Sequence, residues 1–238
     1  MNEIIVITQI EISFFNEYLR YMISTKESDL GMTIAGKLLD IGAIKLSLVH
    51  PFTWSSGWRS PIYCDNRLSL SYPELRKLIK TALSQAIKNQ FPGVQAIAGV
   101  ATAGIPQGAL VADEIELPFL YVRSKPKGHG MENLIEGKVE PDQRIVIIED
   151  LVSTGGSSLK AAEALKQEGA EVLGMAAIFT YGFDLAAQNF KEAGISLICL
   201  SNYEYMIQAA LDRGYIRENH QEALRAWRND PASWGQSN

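Results

Sequence analysis

Residues 144–169, RIVIIEDLVSTGGSSLKAAEALKQEG, pass from an aliphatic block through two acids and a small-residue turn into an amphipathic segment. Ile145, Val146, Ile147 and Ile148 lack the apolar–polar alternation of a half-exposed strand, so they predict a parallel strand buried on both faces. Glu149 and Asp150 close it. Leu151, Val152, Ser153, Thr154, Gly155 and Gly156 form the turn. Ser157 and Ser158 then open a helix that aligns Leu159, Ala162 and Leu165 on one face. Gly169 ends that helix, where a left-handed cap is expected. Strand, small-residue loop and helix N-terminus together make an anion cradle. Free backbone N–H groups converge there, and the helix dipole favours negative charge.

The order of residues restricts which anion. A triphosphate loop of the G-x-x-x-x-G-K-[ST] kind requires a lysine after its glycines, and none stands there. A dinucleotide fold requires G-x-G-x-x-G with an acid about 20 residues later, whereas here the acids precede the loop. Side by side at the strand end, Glu149 and Asp150 can accept hydrogen bonds from a ribose diol whose 5′-phosphate sits in the turn. The plainer alternative is a pair of turn acids stabilising a helix N-terminus. Taken as one string, four aliphatics, two acids, two apolars and Ser-Thr-Gly-Gly-Ser resembles the phosphoribosyl-diphosphate (PRPP) signature of type I phosphoribosyltransferases.

The 238 residues are 47% hydrophobic, enough for one large α/β domain and an accessory piece. A net charge of −5 argues against nucleic acid as the principal partner. Cys64 and Cys199 lie far apart without metal-ligand spacing and read as reduced thiols of a cytoplasmic protein. No apolar run reaches the roughly 18 residues of a membrane span, so no membrane partner is expected. The N-terminus carries acids and no basic region ahead of its apolar stretch, so a signal peptide is not expected either.

Along the chain, residues 1–27 mix strand and helix character and stand as an extension of unassigned role. Asp29 can cap a helix carrying Met32, Ile34, Ala35, Leu38 and Leu39, closed by Gly42. Residues 43–49 alternate as a strand. In HPFTWSSGWRSPIYCDNR, residues 50–67, the prolines and the Ser-Ser-Gly turn leave room only for short antiparallel strands. Its aromatics and small polar residues suit a planar ligand, stacked on a ring and bonded by backbone groups. Core filler for a small flap is the equal alternative. A helix is expected over 72–90 with Pro73 in its first turn, broken by Phe91-Pro92-Gly93. A first parallel strand over 94–100 exits through ATAGIP, residues 101–106, whose small residues let backbone approach an anion.

A helix over 106–114 and a strand over 118–122 complete a second βαβ unit. Further strands over 171–181 and 195–200 flank a helix over 183–193. The tail forms two amphipathic helices with Trp227 and Trp234 as packing anchors. This alternation implies a parallel sheet covered on both faces, with ligands at the carboxyl ends of its strands.

Residues 123–137, RSKPKGHGMENLIEG, crowd Arg123, Lys125, Lys127 and His129 among glycines and read as a mobile surface loop. Such a run is either merely solvated or a lid. As a lid it would close over a phosphate-rich substrate, exclude water and neutralise a departing diphosphate.

Two further phrases sharpen the resemblance. P-F-T-W-S-S-G-x-x-S-P-I-Y-x-D-N-R is similar to the hood segment of orotate phosphoribosyltransferases, and Y-V-R-x-x-x-K-x-H-G to their catalytic loop. The resemblance implies a type I phosphoribosyltransferase-like α/β fold, with a central mostly parallel sheet flanked by helices. A hood would span residues 28–71, a PRPP-binding core 72–201, and C-terminal helices 202–238 would pack on hood or core. It implies transfer of ribose 5-phosphate from PRPP to orotate, with Mg²⁺ brought by substrate and water rather than by direct protein ligands. Glu149 and Asp150 would hold the ribose and Ser153, Thr154, Gly155, Gly156 and Ser157 the 5′-phosphate, with Leu151 and Val152 also in the PRPP-binding stretch. Ser153 would also touch orotate, and Arg123, Lys127 and His129 would act on the diphosphate. In a homodimer, the 123–137 loop would complete the neighbouring subunit's site. The chain departs from the family at Ser124, where a lysine is common, at Thr102 and Ala103, which bring no cation, and after the 171–181 strand, where no arginine follows. A phosphoribosyltransferase for another base, or a non-catalytic PRPP-sensing regulator, are the alternative readings.

Overall fold

The aliphatic block becomes the middle of a six-stranded sheet. The computed structural model describes residues 28–54, 56–125 and 134–235, so the expectations for residues 1–27 and for Lys127 and His129 lie outside the described residues. Residues 28–40 form α1. Four short strands follow: β1 (Ile44–Leu46), β2 (Phe52–Thr53), β3 (Arg59–Ser60) and β4 (Ile62–Cys64). A 3-10 turn (Asn66–Ser71) leads into α2 (Pro73–Gln90), β5 (Ala96–Val100), α3 (Gly104–Ile115), β6 (Phe119–Val122) and β7 (Ile135–Glu136). Then come β8 (Arg144–Val152), α4 (Gly156–Gln167), β9 (Glu171–Thr180), α5 (Asp184–Glu192), β10 (Leu197–Asn202), α6 (Tyr203–Asp212) and α7 (Gln221–Asn229).

The sheet order is β10-β9-β8-β5-β6-β7, with only β7 antiparallel to its neighbour. Alternation along β8 sends Ile145 and Ile147 to one buried cluster, with Leu165 of α4 and Phe190 of α5. Val146 and Ile148 go to the other, with Ile34 of α1, Leu83 of α2, Met206 of α6 and Trp227 of α7. Each such fully buried side chain contributes roughly 1.5–3 kcal/mol of transfer free energy, so a strand apolar on both faces is held by helices on both sides. Ile44 and Ile62 of the hood strands join the same cluster as Trp227. From β5 the chain moves to β6 on one side, while β8 continues to β9 and β10 on the other. The switch point therefore lies between β5 and β8, where open α/β sheets bind ligands.

Some boundaries differ from expectation for local reasons. β8 runs on through Leu151 and Val152, so both acids lie within the strand; β9 alongside supplies partners, pairing Leu151 with Phe179 and Val152 with Thr180. Residues 43–49 yield only the three residues of β1, matching the three of β4 to which they pair antiparallel. Asp29 is already helical rather than a cap. α3 begins at Gly104, with Pro106 in its first turn, where a missing N–H costs no hydrogen bond. Gly42, at φ 70°, and Gly169, at φ 87°, make the left-handed turns expected of them.

Candidate active site

At the end of β8 the chain turns through Ser153, Thr154 and Gly155 into α4. Gly155 has φ 82°, and a Cβ there would meet the Phe190 ring at 2.7 Å, so the turn is built for glycine. No side chain caps α4, which leaves its first-turn N–H groups for an anion. Neighbouring elements brace the turn. Asn189 Nδ2 on α5 donates to the Thr154 carbonyl at 2.9 Å, and Thr180 Oγ1 on β9 donates to the Val152 carbonyl at 3.1 Å. On the other side, a Cβ on Gly104 would strike the Ile148 carbonyl, so the start of α3 presses directly against β8. Both strand ends thus open to one place.

The two acids differ. Glu149 is 6% exposed; its carboxylate accepts from Ser158 Oγ and from the Asp150 N–H, each at 3.0 Å. Burial first, and the Asp150 charge second, push its pKa up to about 8. Asp150 is half-buried and burial raises it too. The structure therefore turns Glu149 towards α4 and leaves Asp150 the more accessible of the pair.

Beside the turn lies a cavity of about 590 Å³. The hood supplies Trp54, Trp58, Tyr63 and Cys64; β8 and its turn supply Leu151, Ser153 and Thr154; Tyr181 follows β9. β2 pairs with β3, and β1 with β4, as short antiparallel ribbons. Trp54 is fixed by its Nε1–H, which donates to the Ile62 carbonyl at 3.1 Å, and by Tyr181, 5.0 Å away between ring centroids. Trp227, fully buried, stands edge-on to Trp54 at 5.7 Å and to Tyr181 at 5.6 Å. Arg228 holds the backbone after β9, donating from Nε and Nη2 to the Tyr181 and Gly182 carbonyls at 3.3 and 3.0 Å. An aromatic-lined cavity that also presents Ser153 and Thr154 suits a planar heterocycle next to a phosphate.

Of the sequence-derived residues, Glu149, Asp150, Leu151, Val152, Ser153, Thr154, Gly155, Gly156 and Ser157 sit together at this strand end. Ser153 does line the aromatic cavity. Arg123 stands at the base of the basic loop, 3.4 Å from Glu136, with its N–H donating to the Leu134 carbonyl at 2.7 Å. Tyr181 and Asn189 belong to the site with no signal in the sequence, and Asn66 stands in the hood phrase without a role of its own there. Tyr181 reads from sequence only as a strand end, and a lone asparagine carries no periodic signal. Among the described residues no cluster of three His, Cys, Asp or Glu could hold a metal. One accessible carboxylate beside a phosphate cradle fits an Mg²⁺ held by substrate oxygens and water. No helix among the described residues is long and apolar enough to cross a membrane.

A mostly parallel sheet with an anion turn at its switch point and an acid pair before that turn fits a phosphoribosyltransferase. The phosphoribosyl transferase domain matches residues 70–209. Orotate phosphoribosyltransferase of Porphyromonas gingivalis is 57% identical over 206 residues, 87% of this chain and 98% of that protein. The chain belongs to the orotate phosphoribosyltransferase family. A crystal structure of orotate phosphoribosyltransferase from Aeropyrum pernix, 28% identical, superposes with a TM-score of 0.67 over 77% of this chain and 99% of that one. UMP synthase of Leishmania donovani, 25% identical, gives 0.70 over 83% of this chain, which spans 42% of that longer protein.

Proposed function

We propose that this chain transfers ribose 5-phosphate from PRPP to orotate in de novo pyrimidine biosynthesis, releasing diphosphate and orotidine 5′-monophosphate. The observation that carries this is the adjacency of an uncapped, glycine-turned helix N-terminus and an aromatic-lined cavity that reaches Ser153 and Thr154. The phosphate and the base are thereby held on either side of the ribose.

The bond between ribose C1 and the diphosphate oxygen breaks while an orotate nitrogen attacks C1 from the opposite face, through an oxocarbenium-like state. No protein nucleophile takes part, so positioning and charge stabilisation do the catalysis. Residues 153–157 hold the 5′-phosphate, and Asp150, with Glu149 behind it, accepts from the ribose hydroxyls. Ser153 touches orotate. Arg123, Lys127 and His129 neutralise the leaving diphosphate, from a 123–137 loop that completes the neighbouring subunit's site in a homodimer. Mg²⁺ arriving with PRPP, without direct protein ligands, would supply further charge neutralisation on the diphosphate. The enzyme works in the cytoplasm.

Following orotate absorbance on addition of PRPP and Mg²⁺ tests the assignment. A PRPP-dependent fall is expected. No fall with orotate, but turnover with uracil or a purine, would place the chain with another base.

A further inference from the structure

We propose that Asn66 is a positioning residue: its side-chain amide fixes the Asp150 peptide for the ribose and ties it to the wall of the base cavity. β5 accompanies β8 only as far as Ile148, which pairs with Gly99. Beyond that point β8 has β9 on one side and the hood on the other. There Asn66 Nδ2 donates to the Asp150 carbonyl at 2.7 Å, across 84 residues of chain. The hood thus provides the hydrogen bond that a strand neighbour would otherwise make.

Both ends of this amide are used. Asn66 is 1% exposed, and its Oδ1 accepts from the Cys64 thiol at 3.3 Å. Cys64 in turn lines the aromatic cavity. The Asn66 backbone is held as well: its carbonyl accepts from Ser69 Oγ at 2.6 Å, and Ser69 Oγ accepts from Gln107 Nε2 of α3 at 3.3 Å. One buried amide therefore joins the cavity wall, the Asp150 peptide and, through Ser69, the helix that follows β5. A buried network of this kind, in which both the oxygen and the nitrogen of the Asn66 amide are bonded, rigidifies what it touches, and losing one member leaves a partner unsatisfied. Without Asn66 the Asp150 peptide has no anchor on that face, and its carboxylate loses its fixed direction.

This inference rests on the reading of Asp150 as a ribose ligand, and the experiment separates the two. Steady-state rates are measured on the full chain with PRPP and orotate varied in turn, alongside thermal midpoints. Asn66→Ala is expected to raise the KM for PRPP about tenfold, the effect of one hydrogen bond, and to shift the KM for orotate less. Combining it with Asp150→Asn should be no worse than Asp150→Asn alone, because the amide acts through that residue. As a control, Ile87→Ala, fully buried on α2 away from the site, should lower the midpoint and leave the KM for PRPP alone. Should Asn66→Ala not fold, Asn66→Asp, of equal size but with an oxygen facing the Asp150 carbonyl, is read by the same KM comparison. A purely thermal effect of the Asn66 substitution, or effects that multiply with Asp150→Asn, would overturn the positioning role. An Asp150→Asn variant with normal KM for PRPP would remove the ribose reading, and the proposal with it.

Discussion

Glutamine at position 149 would take a carboxyl group out of a place hostile to its charge. The Glu149 carboxylate is buried under α4 with Ser158 and the Asp150 N–H as partners, and it lies against a second acid. Its pKa rises from 4.5 to about 8, mainly through burial. Between those values the folded protein keeps a proton that the unfolded chain has released. Stability therefore falls as pH rises through that window and levels off above it. With a tenfold change in proton affinity worth ~1.4 kcal/mol, the loss from pH ~5 to pH ~9 comes to roughly 4 kcal/mol. Asp150, raised in the same direction, adds to it. Glutamine keeps the size and an acceptor oxygen for the Asp150 N–H, its amide N–H can donate to Ser158 Oγ instead, and it has no proton to lose. Thermal unfolding of both proteins without PRPP across that range is the assay. The wild type should lose roughly 10 °C more of its midpoint than Glu149→Gln. Parallel pH profiles, or a variant less stable than the wild type on the alkaline side, would refute the argument.

Lys127→Ala should lower turnover on the order of 10²-fold while PRPP affinity in equilibrium titration changes far less, because the charge it meets develops only as diphosphate departs. Gly155→Ala meets both a positive φ and the Phe190 ring, so urea unfolding should show a loss of about 1–3 kcal/mol, with a raised KM for PRPP. Trp227→Ala removes the ring on which Trp54 and Tyr181 lean. It should cost about 3–5 kcal/mol in chemical unfolding and weaken orotate binding. Chelation with EDTA should abolish turnover, and added Mg²⁺ should restore it.

What the sequence made legible was local. Four consecutive aliphatics ask for burial on both faces, and the two clusters that receive Ile145 and Val146 are those faces. Ser-Thr-Gly-Gly-Ser reads as a turn because glycine alone takes φ 82° cheaply, and Gly155 does so. Pro73 marks the start of α2 for the same kind of reason. The features that escaped depend on distant partners. β8 outruns its aliphatic block because β9 offers a ladder as far as Thr180. Glu149 turns inward because Ser158, one helical turn into α4, lies within reach of it. The Asn66 bond to Asp150 and the ring packing around Trp227 join segments far apart in the chain. No spacing rule announces such contacts.

Trp227 lies close to the chain's C-terminus, yet it backs the rings that line the base cavity. On the ribosome, the hood and the sugar-phosphate turn emerge well before this tryptophan does. A nascent chain can therefore shape its phosphate cradle while the slot for the heterocycle still lacks its rear wall. Loss of α7 would strip the base slot of its rear wall and the shared core of its largest fully buried side chain.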